Sequence, residues 1–363
     1  MPAKDLTLAT VRGLAIILVI YGHVIQRSIL ATGGDFFASA AFKAVYAFHM
    51  PLFFFISGYS LVFSLGRKSI LDVFLARCRS LLVPYAIWGI LGVMTMSALD
   101  VISGKAVSIL HWPLAFADEL LWHPVIWFLF SLFVVSAVLL CSIKLQERLG
   151  FWAFGLVYLL LMGIAPNQNF ALYYVQWFYL FYLAGYLFNR YGPAAREWRM
   201  PPAVFIGALF AFTGLVSFWG RNDYIYINRM AFTLEQAGTQ VLRLVYRYCV
   251  AGLGIALMFH IGAYLARTGL RGFLIEIGVY SLGIYLLQRY IVEGFYAKAA
   301  GWIHGHFISD PLLLSFFFGA GAGACFCLFV LVPCQVSDEA VSRARRGIIR
   351  TVNGYAGRPD QIL

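Results

Sequence analysis

Charge is scarce in this chain. Charged residues make up 12% of its 363 residues, against 62% hydrophobic ones. Soluble globular chains carry about a quarter charged residues, and so few charges cannot cover the surface of a water-soluble fold. Alternation is also lacking. The runs 51–65 and 128–141 do not switch between polar and apolar residues, which argues against the strands of a membrane barrel. None of the six cysteines (Cys78, Cys141, Cys249, Cys325, Cys327, Cys334) forms a CxxC pair, and no zinc spacing occurs. They read as small packing residues, not as disulfides or metal ligands. Internal repeats, low-complexity tracts and linkers long enough to hold a soluble domain are absent as well. Acidic residues number 16 against 27 Lys and Arg, a net charge of +11. In a soluble protein that excess would raise nucleic acid as a partner. Here the cations cluster at the ends of apolar runs, which is a topology signal, and no nucleic-acid partner is expected.

What is present is a series of long apolar runs, each near the roughly 20 residues a spanning helix needs. They predict an all-α polytopic membrane protein with about ten transmembrane helices. The spans fall at about 10–30, 44–65, 80–99, 123–143, 150–165, 172–189, 202–219, 244–266, 272–295 and 311–333. Lys4 and Arg12 ahead of the first run resemble the start of a signal peptide. Arg12, His23 and nine following spans favour a retained anchor. The loops at 100–122 and 220–243 are the largest, with room for a short interfacial helix in each.

Placing the N-terminus in the cytoplasm puts 18 of the 27 Lys and Arg residues inside and 27 − 18 = 9 outside, with every inner loop contributing. Both termini are therefore expected to be cytoplasmic. The expected organisation is one membrane domain over 1–335 and a basic cytoplasmic tail over 336–363. Arg343, Arg345, Arg346 and Arg350 in that tail suit either anionic membrane lipid or plain solvation.

Ionisable groups inside spans are costly, and are commonly functional or paired. Arg12 and His23 lie eleven residues apart on the first helix. That spacing returns to within about 20° of the same face, with a rise of about 16 Å. One stripe thus carries a cation near the inner mouth and an imidazole deeper in. The bland reading is an interfacial anchor and a core histidine. His49 opens the second span, in the stretch Phe48-His49-Met50-Pro51, and can lie at a depth similar to His23. Two imidazoles at one depth suit a buried reaction centre that takes and returns a proton. Each is also readable as a structural histidine. Arg243, Arg247 and Gln288 add polar groups to the outer halves of later spans, and aromatic residues at those depths are also typical of an interfacial belt. Arg77 and Arg79 precede the third span. They are plain inner-side charge or a phosphate clamp, since guanidinium groups grip phosphate through paired hydrogen bonds.

Several stretches in this order resemble the membrane-bound acyltransferase family 3. They are Arg12-Gly13-Leu14-Ala15 leading to Tyr21-Gly22-His23, the run Phe48 to Tyr59, Leu81-Leu82-Val83-Pro84-Tyr85, Trp127-Phe128-Leu129, and Gly278 to Leu287. The resemblance implies ten spans in a bacterial inner membrane. It implies transfer of an acetyl or other short acyl group from cytoplasmic acyl-coenzyme A, most often acetyl-coenzyme A, to a hydroxyl of a sugar or polysaccharide-type acceptor. It implies His23 as the catalytic histidine, Arg12 as its partner, and Arg77 at the site that meets coenzyme A phosphates. Ser80 stands where the family often has a second Arg, with Arg79 one residue earlier, and Gln288 stands where a His is frequent. The expected mechanism has Arg77, Arg79 and Arg12 on the donor phosphates. His23 is a general base or a transient acyl carrier, His49 orients the acceptor or shuttles the proton, and Arg243, Arg247 and Gln288 contact the acceptor. No metal is required. The rival reading is a transporter or flippase of a polar or lipid-linked glycan.

Overall fold

A computed structural model describes residues 3–102, 126–164, 170–192, 199–228, 237–306, 310, 311 and 315. Among these residues every regular element is helical and none is a strand. Most of the span expected at 311–333 and most of the loop at 100–122 lie outside the described residues.

The first helix, α1 (Ala3–Ala31), is 29 residues long. At 1.5 Å per residue it reaches about 43 Å, enough to cross a bilayer with its interfaces. A short α2 (Ala40–Tyr46) follows, capped by Ser39, whose side chain accepts from the Phe42 N–H. Next comes α3 (His49–Leu65), with Pro51 in its first turn, where a missing N–H costs nothing. Ser69 caps α4 (Ile70–Arg77) in the same manner. A π-helical turn, Cys78–Leu82, leads into α5 (Val83–Ile102). Then come α6 (Trp127–Leu149), α7 (Trp152–Gly163), α8 (Phe170–Tyr191), α9 (Pro202–Ser217) and α10 (Ala237–Leu265). Gly150 ends α6 with φ +60°, a backbone region that side chains avoid, and so lets the chain reverse at once into α7.

Where the sequence predicts one span at 272–295, the structure has pieces. They are α11 (Arg271–Val279), α12 (Ser281–Gln288), a π-helical segment Arg289–Tyr296 and α13 (Ala297–His306). Four stretches are long and apolar enough to cross a membrane among the described residues: Leu6–Ala31, Ala40–Leu65, Trp127–Leu149 and Gly238–Leu265. Large apolar side chains on α5, α7, α9 and α10 point outward, with Trp152 85% exposed. Lipid, not water, is the solvent that suits such faces.

Glycine sets how closely the core helices approach. A Cβ on Gly58 of α3 would strike the Tyr182 carbonyl of α8, and one on Gly185 of α8 would strike the Phe55 carbonyl of α3. The contact is reciprocal, so backbone touches backbone. Above it Phe54 stacks on Phe178, centroids 4.1 Å apart at 2°. Below it Asn189 donates to the Tyr59 carbonyl at 2.7 Å. α1 meets α11 in the same way, through Gly13 against Leu274 and Gly278 against Ala9.

The alternating helices give the bundle two chemically different ends. One end gathers the start of α1 and α10's C-terminal end, with Gly262 against Val11. The Met200 N–H donates to His260 there at 2.9 Å. The basic residues Lys144, Arg148, Arg190 and Arg199 fall at this end by their helix positions. The other end gathers the late part of α1, the starts of α3, α6 and α8, the α9–α10 connection and the end of α12. That end holds a cavity.

Candidate active site

The cavity measures about 300 Å³, at the small end of the roughly 300–1,000 Å³ of small-molecule sites. From α1 come Val19, His23 and Gln26; from α2 and α3, Tyr46 and His49; from α12, Gln288. Val19, His23 and Gln26 follow the four- and three-residue steps of one helix face. Arg12 continues that stripe seven residues before Val19 and does not line the cavity.

The two imidazoles are held by one turn of α2. His49 Nδ1 is 2.9 Å from the Val45 carbonyl. A carbonyl only accepts, so Nδ1 carries the proton and Nε2 keeps its lone pair in the neutral ring. Tyr46 lies between the histidines. Its ring is edge-on to His23 at 6.1 Å and to His49 at 4.7 Å. Phe42 stacks on its far side at 3.9 Å. Gly22 makes room for it, since a Cβ there would come within 2.8 Å of the Tyr46 ring. The Gly22-His23 pair in the sequence thus places an imidazole and clears space for the aromatic wedge beside it. Gly22→Ala is expected to leave the protein folded and to lower kcat about tenfold, because small misplacements of reacting groups are costly. Steady-state kinetics beside a thermal melt measure this; an unchanged kcat would mean the wedge does not govern the histidines.

The remaining walls mix aromatic residues with aliphatic ones such as Met50, Pro51, Ile126 and Leu286. Trp127 stacks on Tyr174 at 3.9 Å and 14°. Trp177, Phe178, Tyr285 and residues of the α9–α10 connection also line it. Aromatic faces suit the C–H faces of a sugar ring, and a few polar tips suit its hydroxyls. Gln288 is 3% exposed, and its Oε1 has no hydrogen-bond partner among the described residues. Asp223 also lines the cavity. Burial raises the Tyr224 and Tyr226 phenols above their ordinary range, and either hydroxyl can donate a hydrogen bond.

The structure brings His23, His49 and Gln288 to this one cavity. It places the other sequence-predicted residues elsewhere. Arg243 pairs with Asp223 at 3.6 Å, and Arg247 donates to the Asn222 carbonyl at 2.6 Å. Both stand behind the α9–α10 connection. Arg12 and Arg77 are close enough to interact electrostatically, and both are half-buried. Arg79 is exposed and lines a separate depression with Lys68 and Asp72. Arg77 and Arg79, two residues apart, leave the helix in nearly opposite directions. Among the described residues no three His, Cys, Asp or Glu cluster as a metal would need. Sequence reasoning missed Tyr46, Asp223, Tyr224 and Tyr226. The available signals were Tyr46 three residues before His49 on the same turn, and the Tyr-Ile-Tyr run inside a long loop.

A helical membrane bundle with an imidazole pair in an aromatic cavity fits group transfer to a polar acceptor. The chain matches an acyltransferase domain over residues 6–332; it belongs to acyltransferase family 3 and is an acyltransferase. It is 29% identical to the nodulation protein NolL of Mesorhizobium japonicum over 294 residues, covering 78% of this chain and 76% of the relative. It is also 29% identical to the nodulation protein NolL of Sinorhizobium fredii over 296 residues, 78% of this chain and 77% of the relative. No solved structure matches the chain.

Proposed function

We propose that the protein is a ten-span O-acyltransferase of a bacterial inner membrane. It moves an acetyl or other short acyl group from cytoplasmic acyl-coenzyme A to a sugar hydroxyl. Both termini and the basic end face the cytoplasm, and the cavity opens toward the outer leaflet. The observation that carries this reading is one stripe of α1. It runs from Arg12, within electrostatic reach of Arg77, to His23 in a cavity it shares with His49.

The donor's phosphates fit the paired cations at the basic end, and its thioester arm extends along α1 toward Val19 and His23. The acceptor ring lies against the aromatic walls. His23 takes the proton of the acceptor hydroxyl as its oxygen bonds to the acyl carbon. The carbon–sulfur bond breaks, and the thiolate leaves with the proton that the imidazole returns. His49 Nε2, with its lone pair free of Val45, accepts a hydrogen bond from the acceptor and orients it. Gln288 offers a buried amide to a second hydroxyl. No step requires a metal. Catalysis of this kind needs a cavity that excludes water, because water is a competing acceptor.

The test uses the full chain in vesicles with radiolabelled acetyl-coenzyme A and nitrophenyl glucoside or galactoside as acceptors. Label in the glycoside, lost in the His23→Ala variant, supports the reading. Movement of the glycoside across the vesicle without label transfer would instead favour the transporter. The two arginines are expected to separate. Arg77→Ala raises the donor KM about tenfold to a hundredfold, as loss of a charge-assisted hydrogen bond does. Arg79→Ala, in its separate depression, changes it less than about threefold. Equal effects in initial-rate measurements would mean that both hold the donor.

A further inference from the structure

We propose that Arg247 is a positioning residue that pins the segment 218–228 as the acceptor-facing wall of the cavity. The identity of the ligand rests on the acyl-transfer reading above; the pinning rests on geometry alone.

Arg247 is 1% exposed and lies in α10, one turn after Arg243. Its Nη2 donates to the Asn222 carbonyl at 2.6 Å and toward the Asn228 carbonyl at 3.4 Å. Those two carbonyls are six residues apart and flank Tyr224, Ile225 and Tyr226, which line the cavity. The chain between them is a tight turn. Ile227 and Asn228 both donate their N–H groups to the Tyr224 carbonyl at 3.0 Å. A second tie sits at the near flank, where Asp223 accepts the Gly220 N–H at 2.8 Å and pairs with Arg243. The cavity side of the segment packs on the histidine-bearing turn, with Tyr224 5.7 Å from Phe42 and 6.4 Å from Tyr46.

A guanidinium suits this task. Its donors fan out in one rigid plane, so a single group can reach two carbonyls on opposite flanks of a turn. Neither Arg243 nor Arg247 lines the cavity. Their charge therefore acts on the wall and not on the acceptor. A wall set this way governs how an acceptor ring seats and leaves the distant donor end untouched. Loosening it should weaken acceptor binding selectively.

The experiment uses the full chain in vesicles that leave the cavity end exposed to added reagent. Arg221 is exposed on the pinned segment, so trypsin cleavage after Arg221, read by fragment mass, reports release of the segment. Arg247→Gln is expected to raise that cleavage rate about tenfold, because local opening then breaks fewer buried hydrogen bonds. The KM for nitrophenyl hexosides is expected to rise about tenfold with the donor KM unchanged, the pattern of lost binding on one substrate only. Arg247→Lys, which keeps the cation, is expected to fall between the two and serves if Arg247→Gln is not recovered folded. Tyr226→Ala keeps the pin and removes part of the wall, so acceptor KM should rise without faster cleavage. Unchanged cleavage in a folded Arg247 variant overturns the proposal, as does an equal rise in both KM values. A wild-type protein that labels neither hexoside would count against the acyl-transfer reading, while the cleavage comparison still decides the pinning.

Discussion

His23→Ala is expected to remove nearly all acyl transfer and to leave a folded, membrane-inserted protein. Removal of a general base is expected to cost about 10² to 10⁴ in kcat. The stability cost is small by comparison. His23 is half-buried on a cavity wall, so truncation enlarges an existing space and opens no void in close-packed core. The contrast with His49 is informative. His49 is 3% exposed and bonded to Val45, so His49→Ala loses a buried bond at the start of α3 as well as its role at the acceptor. It should reduce both kcat and thermal stability, where His23→Ala reduces kcat alone. Label transfer and a melt on the same preparations measure both. A His23→Ala variant keeping a tenth of wild-type transfer would rule out His23 as the proton acceptor.

Gly58→Ala and Gly185→Ala are expected to be among the most damaging single substitutions to the fold. Each adds one methyl group, and in each case it falls on a carbonyl of the partner helix. A flexible side chain could move aside, but backbone cannot, so α3 and α8 must separate. Overpacking of this kind costs about 1–3 kcal/mol, a large share of the typical margin of about 5–15 kcal/mol. The separation would also reach the site, because α3 begins with His49 and α8 carries Tyr174 and Trp177. The two contacts share one interface, so the double variant should not be additive. Gly207→Ala and Gly214→Ala on α9 are the controls, since nothing lies within 4 Å of a Cβ at either position. They should leave stability unchanged or slightly raised, as alanine is the better helix former. Recovery of monodisperse protein and its melting temperature separate the two pairs; equal behaviour would mean that the α3–α8 contact does not limit stability.

Much of the helical layout was legible in the sequence because its causes are local. Ser39 and Ser69 cap the helices that follow them, Gly150 reverses the chain, and Pro202 opens α9. The alignment of Arg12 with His23 follows from 3.6 residues per turn on a single helix. Within the span expected at 272–295, the α-helix is interrupted at Tyr280 and passes into π-helical geometry after Gln288. Hydropathy does not report it, because a change of helical geometry depends on backbone hydrogen bonding and not on how apolar the residues are. Arg77 and Arg79 have different surroundings, with Arg77 in electrostatic reach of Arg12 and Arg79 in a separate depression. Sequence proximity suggested a clamp, while helix geometry turns the two away from each other.

Composition and periodicity alone determined that the chain is a helical membrane protein, and that one face of its first helix carries both a cation and an imidazole. These are properties of a segment and its solvent, and each segment states them for itself. The tertiary structure decided that Tyr46 wedges between His23 and His49, that Gln288 joins them, and that Arg247 grips a turn 25 residues upstream. Such relations depend on how closely neighbouring helices approach, and that distance is set by which glycine meets which carbonyl across the interface.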